Sequence, residues 1–62
     1  MKDTYYVRQS APGKEPFVRM STPDKVKAVL SAAGSAFVNP GFTYTVYNGD
    51  TEIARFCIEE EN

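Results

Sequence analysis

Phe42-Thr43-Tyr44-Thr45-Val46-Tyr47-Asn48-Gly49-Asp50-Thr51-Glu52-Ile53-Ala54-Arg55-Phe56-Cys57-Ile58 is the stretch that decides the fold. Two runs rich in aromatic and β-branched residues, 42–47 and 52–58, flank an Asn-Gly-Asp-Thr turn signal, the pattern of a β-hairpin. Parity sets its register. Phe42, Tyr44 and Val46 share one face of the first strand, and Ala54, Phe56 and Ile58 share one face of the second. Directly opposed residues point to the same side of a sheet. A plain two-residue Asn-Gly turn would set Tyr44 against Ile53 and turn Phe56 and Ile58 to the wrong side. The sequence therefore predicts a three-residue loop with a bulge near Gly49, since a one-residue slip flips every side chain.

Upstream, Thr22-Pro23-Asp24 reads as a helix start. Thr22 is the expected N-cap, Pro23 the first helical residue and Asp24 a first-turn acid. Val26, Val29, Leu30 and Ala33 recur at helical spacing and predict the buried stripe. Gly34 is expected to stop the helix, which spans residues 23–33 in this reading. Phe37 and Val38 are expected to fold back as a plug beneath it.

Further upstream, residues 4–9 and 17–20 read as two short strands. A long open loop over residues 10–16 is expected to join them, with Pro12-Gly13 marking a turn. The expected fold class is α+β: one domain over residues 1–62, order β-β-α-β-β, with one helix packed on one face of an antiparallel sheet. The expected core takes Tyr5, Val7, Val18 and Met20 from the first hairpin. The helix and its following segment add Val26, Val29, Leu30, Ala33 and Phe37. The second hairpin adds Phe42, Tyr44, Val46, Ala54, Phe56 and Ile58. Between Phe17 and Val18 the phase is open, because four residues are too few to fix it. Residues 59–62 form an acidic tail, expected to fray.

Composition narrows the function classes. With 62 residues, 42% hydrophobic and 24% charged, the chain suits one small globular domain rather than a disordered segment. A chain of this size buries only about 60% of its unfolded surface, so its stability is modest and a homodimer is allowed. There is no histidine and only one cysteine, Cys57, which excludes an internal disulfide and the usual zinc sites. Without histidine, Cys57 also lacks its usual activating base. Glu59-Glu60-Glu61 reads as a solvated charge run rather than a pair of catalytic carboxylates. Pro12-Gly13-Lys14 lacks the glycine spacing and the hydroxyl residue of a phosphate-binding loop. The sequence points to no enzyme, no cofactor, no metal and no small-molecule substrate.

No run approaches the roughly 20 apolar residues of a membrane span, and nothing resembles a signal peptide. A lone thiol suits a reducing compartment, so the expectation is a complete, cytoplasmic chain with no membrane association. The net charge of −1 disfavours nucleic acid, whose binders are usually basic.

The sheet face turned away from the helix is the candidate site. Parity places Thr43, Thr45, Tyr47, Ile53, Arg55 and Cys57 there, and Tyr6 and Arg8 join them from the first hairpin. Tyr and Arg are enriched at interface hot spots. Tyr6, Arg8, Tyr47, Ile53 and Arg55 are therefore the expected partner-binding residues of a non-catalytic interaction module, an adaptor, inhibitor or regulator. The partner is a protein or a second copy of the chain. The alternative is a weak nucleic-acid binder that stacks bases on the tyrosines. The same residues also suit a plain solvated face, where Thr and Tyr serve β-propensity alone.

Overall fold

The computed structural model describes residues 3–59. Its elements are β1 (Tyr5–Ala11), β2 (Lys14–Thr22), α1 (Lys25–Val38), β3 (Thr43–Asn48) and β4 (Thr51–Cys57). The four strands form one antiparallel sheet in the order β2-β1-β3-β4, with α1 on one face, an α+β architecture. The two hairpins join through β1 and β3, so the central strands belong to different hairpins. Residues 60–62 of the expected acidic tail lie outside the described residues, and Glu59 is exposed.

The second hairpin has the predicted parity. Tyr44 opposes Phe56 and Val46 opposes Ala54. The loop is shorter than expected, however, and the bulge lies elsewhere. Asn48 pairs with Thr51, leaving Gly49 and Asp50 as a two-residue loop. Gly49 has φ 61° and Asp50 does not take positive φ, as a type II′ turn requires. The extra residue is Ile53, between Glu52 opposite Tyr47 and Ala54 opposite Val46.

The first hairpin is longer and tighter than the sequence suggests. Its strands continue through residues 10–16, and only Pro12-Gly13 remains as a turn between Ala11 and Lys14. Pro12 presets the first central position, and Gly13, at φ 76°, takes the second. The ladder then shifts: Val7 opposes Met20 but Arg8 opposes Val18, which leaves Arg19 as the extra residue. Arg19 turns to the helix side, where it donates to the Gln9 side chain and lies over the Tyr44 ring. Val18 is thereby sent to the far face and is not a core residue.

The helix departs furthest from expectation. Asp24, not Thr22, is the N-cap, and its carboxylate accepts from the Lys27 amide. Thr22 instead closes a local turn by accepting from the Asp24 amide. Gly34 does not stop the helix, which runs on to Val38 and is capped by Asn39. Phe37 and Val38 are exposed residues of its last turn rather than a plug. The buried face is Ala28, Ala32 and Ala36, with Val29 half-buried at its edge, while Val26 and Leu30 face solvent. The reason is steric. The sheet brings the bulk: Val7, Tyr44 and Val46 are fully buried, and Tyr5, Met20, Phe42 and Phe56 pack around them. Methyl side chains let the helix backbone approach those rings closely, and close-packed interiors reward that fit. Ile58, also expected in the core, ends beyond β4 and stays exposed.

Candidate partner-binding site

The far face forms a regular grid. One row runs Ser21, Tyr6, Tyr47, Glu52 from β2 to β4, and the next runs Val18, Arg8, Thr45, Arg55. Tyr6 and Tyr47 are directly opposed on the two central strands. From the neighbouring row, the Arg8 guanidinium reaches diagonally over the Tyr47 ring, 4.7 Å from its centroid. Cation–π attraction and the flat guanidinium both favour this stack.

These side chains line an open cleft of about 280 Å³, completed by Val18, Gly49 and Asp50. The β3–β4 turn supplies one wall, and it is tied to the start of β1 by the Gly49 amide donating to the Thr4 carbonyl at 3.3 Å. Tyr6 and Tyr47 are half-buried, and Arg8, Val18 and Asp50 are exposed. The cleft therefore offers an aromatic and aliphatic floor, one cation and one anion. It holds no nucleophile–base pair, and its size suits a side chain or two of a bound segment.

Of the five expected site residues, Tyr6, Arg8 and Tyr47 come together. Ile53 and Arg55 do not line the cleft. Ile53 is the bulge residue on the edge strand β4 and is exposed. Arg55 turns to its own strand and bonds Glu52 at 2.8 Å. That hydrogen bond and the charge of Glu52 raise the Arg55 pKa above its ordinary value. Val18 and Asp50 were not expected in the site. Alternation alone could not find Val18, because the Arg19 bulge decides its side. Asp50 reads from the sequence only as a turn residue. Cys57, expected on the far face, pairs with Thr43 and is an exposed free thiol.

Neither known protein-family models, nor curated proteins, nor solved structures show a match to this chain.

Proposed function

We propose that the protein is a non-catalytic interaction module that receives a segment of a partner protein in the Tyr6–Arg8–Tyr47 cleft. The carrying observation is the Arg8–Tyr47 stack set beside Tyr6 and Val18 in one concavity. Tyrosine and arginine give large contact area with few rotatable bonds to freeze, and the stack holds the guanidinium in place before a partner arrives. Arg8 and Asp50 at the rim would orient the segment by charge.

Two features favour a protein partner over a nucleic acid. Asp50 puts a carboxylate in the cleft, and Glu52 pairs with Arg55, leaving little cationic track for phosphates. We place the module in the cytoplasm as a small adaptor or regulator, since an exposed free thiol suits a reducing compartment. No described helix is long and apolar enough to cross a membrane.

Affinity capture from native lysate tests the proposal, with wild type compared against Tyr6→Ala and Tyr47→Ala proteins shown to be folded. Partners retained by wild type should be lost from both variants. An unchanged set of captured proteins would show that the cleft binds none of them. Capture of nucleic acid that weakens steeply with salt and with Arg8→Ala would favour the alternative.

A further inference from the structure

The face of α1 turned away from the sheet carries larger apolar side chains than the face turned toward it. Val26, Leu30 and Phe37 are 64%, 67% and 76% exposed, and Ala33 completes their line. Scattered exposed apolar residues are ordinary, but a contiguous line of them marks an interaction surface. The spacing here is four, three, four, the a/d spacing of a helix-pairing seam.

We propose that this seam pairs antiparallel with the same seam of a second copy of the chain. Shape and charge both single out that occupant. A two-fold axis midway between Leu30 and Ala33 sets Val26 against the partner's Phe37 and Leu30 against the partner's Ala33. Each large side chain on the inner positions then meets a small one, so the helices can approach closely.

The charges select the antiparallel sense. Lys25 and Lys27 sit at the positive N-terminal end of the helix, and its last turn holds no basic residue. Within one chain that placement is unfavourable to the helix dipole. Antiparallel pairing carries Lys27 beside the partner's last turn, at the negative helix end. A bond from the Gly41 amide to the Ile58 carbonyl keeps Glu59 at that same end of the molecule. A parallel pair would instead bring four lysines together and align the dipoles.

A 14-residue helix is about 21 Å long, so a single helix pair is a small interface. The dimer is therefore weak and concentration-dependent, in the class of transient contacts. Back-to-back helices would leave both far sheet faces pointing outward, so self-association and the cleft can be tested apart.

Sedimentation equilibrium of the full chain, from about 5 to about 500 µM, reads the dimer directly, as this range brackets micromolar dissociation constants. Wild type should shift from monomer to dimer. Leu30→Glu, on an exposed position that the monomer fold does not use, should raise the dissociation constant at least about tenfold. Tyr47→Glu should leave it unchanged. Orientation is read by oxidative cross-linking of the Val26→Cys, Phe37→Cys double variant in a Cys57→Ser background. A link between positions 26 and 37 of two chains supports the proposal. Links joining 26 to 26 and 37 to 37 would overturn it, as would a wild type monomeric throughout the range. A dimer that survives Leu30→Glu but is lost in Tyr47→Glu would overturn it too, and would move the interface to the sheet.

Discussion

Arg8 of β1 stacks on Tyr47 of β3 although Thr45, not Tyr47, is its direct partner across the ladder. The contact is diagonal, within reach only of long side chains on the same face. With the directly opposed Tyr6–Tyr47 pair it joins the two hairpins on the far face, and it shapes the cleft we assign to a partner.

A double-mutant cycle with Arg8→Ala and Tyr47→Leu should therefore give a coupling of about 0.5–1 kcal/mol, the range of an exposed cation–π pair. Arg8→Lys keeps the charge but loses the planar stack, so it should recover less than half of that coupling. Urea unfolding measures all four corners. Zero coupling would show that the stack does not form in solution.

The helix face can be checked by opposite substitutions. Ala32→Leu forces three extra carbons against the sheet and should cost about 1–3 kcal/mol. Leu30→Ala, at low protein concentration, should change stability by no more than about 0.5 kcal/mol, as exposed positions do. If Leu30→Ala proves the more costly, the inner face of α1 has been assigned to the wrong residues.

Glycine position separates a helix interior from a helix end. Gly34 lies inside α1 without positive φ, and an added Cβ there would meet nothing within 4 Å. Gly34→Ala should stabilise by about 0.5–1 kcal/mol, raising Tm by roughly 4–8 °C. Gly13 holds φ 76° in the β1–β2 turn, and Gly13→Ala should lower Tm despite equally open surroundings. A destabilising Gly34→Ala would restore the glycine to a left-handed helix terminus.

Tyr44 is fully buried, and its hydroxyl has no hydrogen-bond partner among the described residues. An unpaired buried polar group costs free energy that its removal recovers. Tyr44→Phe should be as stable as wild type or up to about 1 kcal/mol more stable, seen as a higher urea midpoint. A loss of more than about 1 kcal/mol would reveal a hydroxyl that is hydrogen-bonded in solution.

The face assignments of the central strands were legible because strand alternation is local and has a period of two. Val7 and Val46 inside, with Tyr6, Arg8 and Tyr47 outside, followed from counting along each strand. Counting failed where a bulge intervened. Arg19 and Ile53 each add a residue on one strand only, so Val18 changes face and the hairpin loop shortens to Gly49-Asp50. Nothing in the residue types at 19 or 53 marks them as extra, because a bulge is a property of two paired strands.

By itself, the sequence determined the element order, the parity of the second hairpin and the far-face placement of Tyr6, Arg8 and Tyr47, three of the six residues that line the cleft. Tertiary structure alone decided which side of α1 is inside. Hydrophobicity favours the side with Val26 and Leu30, yet the sheet already fills the shared volume with Tyr44, Val7, Val46 and the rings around them. Only Ala28, Ala32 and Ala36 are small enough to let the helix backbone settle onto that surface. Packing volume therefore outweighed side-chain hydrophobicity, and the larger apolar residues were left facing outward.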